Sequence, residues 1–321
     1  MVLIDGYDTL LLDLDGVVYL GRQAVPGAPE ALHRAHREGV RLAYVTNNAS
    51  RTPAAIAAHL TSLGVPASAE DVVTSAQAAA RLVAERVEPG AAVLVVGGMG
   101  LRQAVRDRGL RPVSTAAEAP VAVVQGMSPD ISYGLLTEGT LAVRQGAWFV
   151  AANADSTMPT GRGEVPGNGA MIRVIATATG VEPVVAGKPE PPLHRESMIR
   201  TGARRPLVVG DRLDTDIEGA ANAGVDSLLV LTGVATPLDL LTAPPEHRPT
   251  YVADDLAALH LPYAKAGRGW TARWIDDRLH LEGDGDRIDG LRAACAAAWA
   301  AAGDGAVDED AVKPVLDLIG S

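Results

Sequence analysis

The sequence has a single cysteine, Cys295, and aromatic residues make up only 3% of the chain. One cysteine excludes a disulfide within the chain and fits a reducing compartment, so we expect a cytoplasmic protein. We expect Cys295 itself to be a small buried apolar residue on an alanine-rich helix. Nowhere do about 18 apolar residues follow one another, which argues against a membrane-spanning helix. A secretion signal is not expected either, because aspartates interrupt the apolar residues after Met1.

Positive charge is also scarce, since the formal net charge is -11 and the only lysines are Lys188, Lys265 and Lys313. No run of lysine or arginine forms a local basic patch against this net negative charge, so neither nucleic acid nor a membrane surface is an expected partner. An acidic protein can still bind an anionic metabolite where a cation and backbone amides reverse the field locally. A lysine placed near such a site therefore becomes a candidate for function.

Apolar runs alternate along the chain with alanine-rich and leucine-rich segments that have helical spacing. The runs cover residues 9–14, 41–46, 92–97, 121–125, 148–152, 206–210 and 227–231. This alternation predicts an α/β fold with a Rossmann-like, doubly wound parallel-sheet core covered by helices. Ligands bind at the carboxyl ends of the strands in such sheets, so polar residues at those positions are candidates for a functional site.

The composition changes after about Pro262, because three of the four tryptophans follow it. The pattern predicts a β-hairpin over residues 270–275 and 279–282, with Asp276 and Asp277 at its turn. A helix over residues 286–302 and a final short helix should follow. We expect residues 263–321 to form a small C-terminal β-hairpin-plus-helix module, the C-terminal tail, joined through a glycine-containing linker near Gly267.

Two polar groups stand where the first two predicted strands end. Asp13 and Asp15 are two residues apart, so their carboxylates could point the same way and share one cation, or they could merely terminate the strand. Thr46, Asn47 and Asn48 follow the second strand, where a hydroxyl and loop amides could bind phosphoryl oxygens. Such a triplet is also an ordinary turn.

Two further groups lie much later in the chain. Lys188 follows a short apolar pair and could neutralise a phosphate, although a lone lysine is more often a solvated surface group. Residues 210–216 form an acidic loop in which Asp211 could terminate a strand and Asp216 could be an acid that favours a helix start. Each of these four groups is a weak signal alone. Because all four lie at the ends of predicted strands, together they favour a single functional site.

In this order the residues resemble the haloacid dehalogenase-like hydrolases. The resemblance covers Asp13 and Asp15, Thr46, Lys188, and the Gly-Asp-x-x-x-Thr-Asp pattern that ends at Asp216. It implies that Asp13 is the nucleophile, that Asp15 is the general acid and later the general base, and that Thr46 and Lys188 hold the phosphoryl group. It also implies a metal bound by the Asp13 carboxylate, the Asp15 backbone carbonyl and Asp211, with Asp216 orienting these ligands.

General chemistry agrees with those roles. Oxygen-only ligands suit Mg²⁺ better than zinc, and phosphoryl transfer needs mainly positioning and cancellation of charge. A carboxylate nucleophile divides hydrolysis into formation and breakdown of an acyl phosphate. We therefore expect a Mg²⁺-dependent phosphatase that hydrolyses small phosphate monoesters through an aspartyl-phosphate.

The interval between Thr46 and Lys188 is far longer than the roughly 30 residues of a plain crossover, which predicts an inserted domain. We predict a catalytic core at residues 1–76 and 180–262 and an inserted α/β cap domain at 77–179. A cap at this point resembles the branch that contains p-nitrophenylphosphatases, phosphoglycolate phosphatases and glycerol-3-phosphate phosphatases. The resemblance leaves the C-terminal tail unexplained.

The substrate selector is expected in the loop over residues 153–165, which contains Met158 and Arg162. This loop could equally be a glycine-rich surface connection. Related enzymes that bind pyridoxal phosphate carry a histidine where Met158 stands, which disfavours that substrate. We expect glycerol 3-phosphate first and 2-phosphoglycolate second, and Arg162 could meet a carboxylate.

Two alternatives stay open from the sequence, a phosphomutase of the same superfamily and a non-catalytic regulator that binds a phosphometabolite. An acetyltransferase-like activity of the C-terminal tail is disfavoured because the tail is too small for a full catalytic domain. Packing or dimerisation is the expected role of the tail, so a homodimer is a further prediction.

Overall fold

The computed structural model describes residues 2–264 and 267–319. The chain forms two compact units: Met1–Tyr44, Leu63–Pro66 and Thr201–Ser321 make the first, and Val45–Ser62 with Ala67–Arg200 make the second. This grouping differs from the predicted division into residues 1–76 with 180–262, 77–179 and 263–321, which stays a prediction. Lys265, in the predicted linker, lies outside the described residues.

The strands occur along the whole described chain and most of them are short. In chain order they are β1 (Thr9–Leu12), β2 (Tyr19–Leu20), β3 (Gln23–Ala24), β4 (Arg41–Thr46), β5 (Val72–Thr74), β6 (Ala92–Val96), β7 (Arg111–Val113), β8 (Ala122–Gln125), β9 (Trp148–Ala151), β10 (Thr157–Thr160), β11 (Gly163–Pro166), β12 (Val184–Val185), β13 (Pro206–Gly210), β14 (Asp226–Val230), β15 (Tyr251–Ala253), β16 (Trp270–Ile275) and β17 (Arg278–Gly283).

The α-helices are α1 (Ala28–Arg37), α2 (Pro53–Ser62), α3 (Ser75–Ala84), α4 (Met99–Asp107), α5 (Tyr133–Arg144), α6 (Asn168–Thr179), α7 (Pro191–Thr201), α8 (Glu218–Ala223), α9 (Pro237–Leu241), α10 (Arg287–Ala302) and α11 (Glu309–Ile319). Short 3₁₀ turns cover Leu3–Gly6, Ala116–Glu118, Pro245–His247 and Leu256–His260, and a π-helical turn covers Leu213–Ile217. Within the described residues, no helix has both the length and the apolar character needed to cross a bilayer.

The first unit contains a parallel sheet with the strand order β15-β14-β13-β1-β4. Strand β1 lies between β13 and β4, with Leu12 opposite Val209 and Tyr44. Every residue of β1 is buried, as expected for a parallel strand covered on both faces. Because β1 and β13 run side by side in the same direction, the residues that follow them start from the same edge.

The chain after β13 differs from the predicted helix start at Asp216. The carbonyl of Arg212 accepts hydrogen bonds from the amides of both Asp216 and Ile217, at 3.1 and 3.2 Å, which makes the wider π turn. Helix α8 then begins at Glu218. Single π turns are frequent at functional sites, and this one lies within the predicted acidic loop.

The C-terminal tail forms the predicted hairpin and helices. Strands β16 and β17 pair antiparallel, and the turn residues Asp276 and Asp277 have φ angles of 48° and 58°, which suits a two-residue hairpin turn. Helices α10 and α11 follow. Cys295 is 2% exposed on α10, so its predicted place as a buried apolar residue is confirmed.

The second unit contains another parallel sheet, with the strand order β12-β9-β8-β6-β7. Its apolar core includes Leu94, Phe149 and Ile175, each at most 1% exposed, between strands and helices α5 and α6. The antiparallel hairpin of β10 and β11 belongs to the same unit. The predicted α/β class with parallel sheets is therefore confirmed.

Candidate active site

Asp13 is the first residue after β1, and its amide continues the sheet by donating to the Val209 carbonyl at 2.9 Å. One carboxylate oxygen from each of Asp13, Asp211 and Asp216 lies within 4.8 Å of the other two. Asp211 and Asp216 are 2% and 1% exposed. Negative charges this close repel one another when little water surrounds them, so a cation between them would stabilise the arrangement.

Main-chain groups hold the Asp211 side chain in place. The amide of Val234 donates to Asp211 Oδ2 at 2.8 Å, and the amide of Ala235 donates to the Asp211 carbonyl at 3.0 Å. Two glycines leave the room that this carboxylate fills, because a Cβ atom would lie 2.2 Å from Oδ2 at Gly16 and 1.9 Å from it at Gly233. The site therefore depends on the absence of two side chains.

Asp216 is fixed in a similar way. Its Oδ2 accepts a hydrogen bond from the Arg212 amide at 3.2 Å, and a Cβ atom on Gly210 would lie 2.1 Å from the Asp216 Cβ. The neighbouring Asp214 instead pairs with the Arg212 guanidinium at 2.7 Å, and its side chain is 56% exposed. Within this loop, only Asp211 and Asp216 contribute to the carboxylate cluster.

Asp15 lies in the loop after Asp13 and is exposed. The hydroxyl of Tyr19 donates to Asp15 Oδ2 at 3.4 Å, and the amide of Gly16 donates to the Tyr19 carbonyl at 2.9 Å. An exposed carboxylate in a loop closed by hydrogen bonds is available to exchange protons with a bound ligand or water. The predicted metal contact through the Asp15 carbonyl stays a prediction.

The donor set fits a hard divalent cation. The three clustered aspartates offer only oxygen atoms, which Mg²⁺ and Ca²⁺ prefer, and no cysteine or histidine belongs to this cluster. The glycines beside Asp211 keep the carboxylate from being displaced by neighbouring side chains. The residues present are therefore suitable for Mg²⁺.

The second unit contains the other predicted group, in which Asn47 clamps the backbone of Lys188. The Lys188 amide donates to Asn47 Oδ1 at 2.8 Å, and Asn47 Nδ2 donates to the Lys188 carbonyl at 3.1 Å. Asn47 Nδ2 also lies 3.1 Å from Asp155 Oδ1. The Lys188 side chain is buried at 4% exposure, with Nζ 3.4 Å from the Val45 carbonyl. The Asn47 side chain thus fixes the main chain of Lys188 at both its N–H and its carbonyl.

Helix α7 begins just after Lys188 and carries three buried polar residues, His194, Glu196 and Ser197. Glu196 is fully buried and forms ion pairs with Arg81 and Arg108, the latter at 2.5 Å, so its charge is compensated and α7 is anchored. Burial lowers the pKa of His194 to about 3, and the charge of Lys188 acts in the same direction. The imidazole is therefore neutral near pH 7.

Thr46 and Asn48 have local contacts in the loop after β4. The Asn48 amide donates to Thr46 Oγ1 at 3.1 Å, and Asn48 Oδ1 accepts from the amides of Ser50 and Arg51 at 2.9 and 3.1 Å. Thr46 is 6% exposed. These hydrogen bonds fix the loop, and direct contact of Thr46, Asn47 or Asn48 with a substrate stays a prediction.

Met158 and Arg162, from the predicted selector loop, belong to the β10–β11 hairpin. Met158 is 36% exposed and pairs in register with Val165. Arg162 is exposed at the hairpin turn, where its amide donates to Thr160 Oγ1 at 3.2 Å. The selector segment is a hairpin and not an irregular loop, and a substrate contact by either residue stays a prediction.

Several supporting residues were not predicted. The loop over residues 232–235 contacts Asp211 and directly follows an apolar run, so the same strand-end rule would have found it. Ser75 Oγ donates to the Asn47 carbonyl at 2.6 Å, and Asn153 Nδ2 donates to the same carbonyl at 2.6 Å. No local sequence signal indicates these last two contacts, because their partner is a main-chain atom far along the chain.

Comparisons with known proteins assign the family. A family model described as haloacid dehalogenase-like hydrolase matches residues 10–111, and one described as HAD-hydrolase-like matches 185–259. A D-glycerol 3-phosphate phosphatase from Mycobacterium tuberculosis is 52% identical over 254 residues, which cover 79% of this chain and 71% of that protein. The chain belongs to the haloacid dehalogenase-like hydrolases. The resemblance inferred from the motifs, including its branch, is confirmed.

Other members of this family support the assignment. A crystal structure of a glycerol phosphate phosphatase from Mycobacterium tuberculosis in complex with magnesium has a TM-score of 0.91 and 44% identity, and the match covers 99% of each chain. The 5'-nucleotidase YutF of Bacillus subtilis is 39% identical over 80% of this chain and 98% of its own length. A family model described as a GCN5-related N-acetyltransferase like domain matches residues 267–320, in the C-terminal tail.

Proposed function

We propose that this hydrolase is a Mg²⁺-dependent phosphatase that acts on small phosphate monoesters through an aspartyl-phosphate on Asp13. The observation that carries the proposal is the carboxylate cluster in which Asp13 and Asp211 follow two adjacent parallel strands and Asp216 lies in the π-helical turn after the second of them. Asp211 and Asp216 are almost fully buried and Asp13 is half-buried, so a cation beside them would offset their mutual repulsion. Phosphoryl transfer is a chemistry in which a carboxylate nucleophile and a divalent cation act together.

In the first proposed step, a carboxylate oxygen of Asp13 attacks the phosphorus atom and the bond between phosphorus and the ester oxygen breaks. Asp15 gives its proton to the departing alkoxide, so the alcohol leaves neutral. In the second step, Asp15 takes a proton from water as the water oxygen attacks the acyl phosphate. Inorganic phosphate leaves and the Asp13 carboxylate is regenerated.

Asp13, Asp211 and the Asp15 carbonyl are the proposed holders of Mg²⁺, with Asp216 orienting them. When bound, Mg²⁺ supplies positive charge that offsets the charge of the carboxylates and of the phosphoryl oxygens. Lys188 and Thr46 are proposed to hold the same phosphoryl group, with Asn47 and Asn48 in the loop beside them. The buried place of Lys188 and its clamped backbone support this role, because a fixed point charge loses little freedom on binding.

Glycerol 3-phosphate is the proposed substrate, and 2-phosphoglycolate is the second choice. The 52% identical relative is named a D-glycerol 3-phosphate phosphatase, whereas others are named 5'-nucleotidase or acid sugar phosphatase. The β10–β11 hairpin with Met158 and Arg162 is the proposed selector. A homodimer and a cytoplasmic location stay predictions.

The test measures phosphate release by the purified chain from a panel of esters, with Mg²⁺ and with EDTA. The panel contains glycerol 3-phosphate, 2-phosphoglycolate, pyridoxal phosphate, AMP, a hexose phosphate and p-nitrophenyl phosphate. We expect glycerol 3-phosphate to give the highest kcat/KM and EDTA to abolish turnover. Formation of an isomer without phosphate release would identify a phosphomutase, and no turnover of any ester would leave a binding protein.

The Asp13→Asn variant should keep the fold and lose at least about 10³-fold in kcat, because a carboxamide cannot act as the nucleophile. Asp214→Asn is the matched control, since this acid lies in the same unit but its side chain pairs with Arg212 at the surface. Circular dichroism checks the fold of both variants. Activity of Asp13→Asn near that of the control would show that another group attacks.

A further inference from the structure

The C-terminal tail shares one apolar core with the sheet that carries the carboxylate cluster. On the side of the tail the buried members include Leu281, Leu291, Cys295 and Val312. On the other side they include Ile217, Leu229, Ala235, Leu240, Leu241 and Val252. A contiguous cluster of this kind is one packing unit, which places the tail directly against Ala235 and Ile217, the neighbours of the residues that hold Asp211 and Asp216.

Polar contacts join the same two parts. Trp299 Nε1, on α10, donates to the Leu240 carbonyl at 3.2 Å. The Arg248 guanidinium donates to the carbonyls of Gly303 and Gly305 at 2.6 and 3.0 Å, and its Nε donates to the Ala243 carbonyl at 3.1 Å. The tail is therefore fixed to helix α9 and to the residues directly after it.

Helix α9 in turn fixes the loop that holds Asp211. Thr236 caps the helix, because its Oγ1 accepts from the Asp239 amide at 3.2 Å and its amide donates to Asp239 Oδ2 at 2.9 Å. The preceding residue, Ala235, is buried in the shared core and donates to the Asp211 carbonyl. Ile217, which follows Asp216, belongs to the shared core too.

We propose that the C-terminal tail positions the metal-binding carboxylates, with Trp299 as the positioning residue that acts through α9, Ala235 and Asp211. The tail then supports the phosphatase site through packing, while the carboxylate cluster found among the described residues consists of Asp13, Asp211 and Asp216. This inference rests on the metal site proposed above.

The experiment compares two variants that each lose one indole hydrogen bond to a carbonyl. Trp299→Phe removes the bond to Leu240, and Trp270→Phe removes a 2.9 Å bond to Asp286, which lies inside the tail. Binding of Mn²⁺ to the full chain without substrate is followed by electron paramagnetic resonance. Thermal melting of both variants and Mg²⁺ titrations of phosphatase activity complete the comparison.

We expect the Kd for Mn²⁺ to rise about threefold to tenfold in Trp299→Phe, because the loop over residues 232–235 must then be ordered when the cation binds; the net free energy of one hydrogen bond sets the upper limit of this factor. The same variant should need more Mg²⁺ for half-maximal activity and recover most of kcat at saturating Mg²⁺. Trp270→Phe should lose thermal stability by a similar amount and keep the wild-type Kd.

Equal Kd values for Mn²⁺ in Trp299→Phe and Trp270→Phe would overturn the positioning role while leaving the metal site intact. A wild-type chain that binds no Mn²⁺ would instead reject the proposed function. If Trp299→Phe does not fold, Arg248→Lys takes its place, because it keeps the charge and weakens the contacts to Gly303 and Gly305. The same rise in Kd is then expected, and an unchanged Kd would overturn the inference.

Discussion

The carboxylate cluster of the first unit and the Lys188 group of the second unit are fixed in opposite ways. Main-chain amides hold Asp211 and Asp216, and glycines leave space for them. Lys188 is held by a side chain, since the side-chain carboxamide of Asn47 forms hydrogen bonds with both the main-chain N–H and the carbonyl of Lys188. The carboxylates should therefore be sensitive to atoms that are added nearby, and the lysine to atoms that are removed.

Adding one carbon atom at Gly233 is expected to give the largest effect. A Cβ there would lie 1.9 Å from Asp211 Oδ2, so the carboxylate or its loop must move. A displacement of about 1 Å at a catalytic group costs on the order of 100-fold, and we expect Gly233→Ala to lose at least that much in kcat/KM.

Gly6→Ala is the control for this comparison, because no atom lies within 4 Å of the added Cβ. Both variants should fold as judged by circular dichroism. A Gly233→Ala enzyme that works within threefold of the control would contradict the proposed cradle around Asp211.

Removing the Asn47 side chain should have an intermediate effect. Asn47→Ala leaves the buried N–H and carbonyl of Lys188 without these partners, which costs about 1–3 kcal/mol. We expect this loss to displace Lys188, so that kcat/KM decreases about tenfold to a hundredfold, mainly through a higher KM for the phosphate ester. The variant Gln103→Ala, in the same unit, removes an exposed hydrogen bond to Asp107 and should behave like wild type.

A double-mutant cycle shows whether Asn47 acts through Lys188. In a Lys188→Ala background, Asn47→Ala should cost much less than it does in the wild-type chain, because the group it positions is gone. Additive losses in kcat/KM would indicate that Asn47 contacts the substrate independently, as the sequence first suggested.

His194 should affect stability and its pH dependence more than activity. The folded pKa is lowered to about 3, whereas the ordinary value is 6.5, so the unfolded chain binds a proton that the folded chain does not as the pH falls below about 6.5. Stability is therefore lost on acidification. At pH 5 the free energy of unfolding should have decreased by about 2 kcal/mol through this residue.

Urea unfolding at pH 7.5 and pH 5 measures this difference. His194→Leu should show a decrease smaller than that of wild type by about 2 kcal/mol, whereas a substitution of the exposed His280 by Gln should keep the wild-type decrease. The same decrease in all three proteins would mean that His194 is not the residue responsible.

The approach of Asp211 to Asp13 could be predicted because it follows from strand order, whereas the place of Asp216 was implied only by the family resemblance. Residues after neighbouring parallel strands share an edge, so apolar runs that end in aspartate converge without any knowledge of side-chain contacts. The hairpin of the C-terminal tail was predictable for a similar reason, since its alternation and its Asp276-Asp277 turn are local signals.

The clamp of Asn47 on Lys188 was not predictable. An asparagine in a loop can bond to substrate, to its own turn or to a distant backbone, and nothing local distinguishes these partners. The packing of the tail against the first sheet was not predictable either. Apolar periodicity indicates that one face of a helix or strand is buried, but it does not identify the element that packs against that face. The π turn before α8 was not predictable because it depends on two main-chain hydrogen bonds to the Arg212 carbonyl. The residue types in this loop do not specify such bonds.

The central place of β1 in the first sheet has a consequence for synthesis on the ribosome. This strand is among the first residues made, but its partner β13 (Pro206–Gly210) is translated only after the whole second unit, which is nearly continuous along the chain. The second unit can therefore acquire its native contacts while translation proceeds, whereas β1 can pair early with β4 and must wait for β13. Long-range pairing of this kind slows folding, and we expect Asp13, the proposed nucleophile, to reach its final surroundings only late in translation.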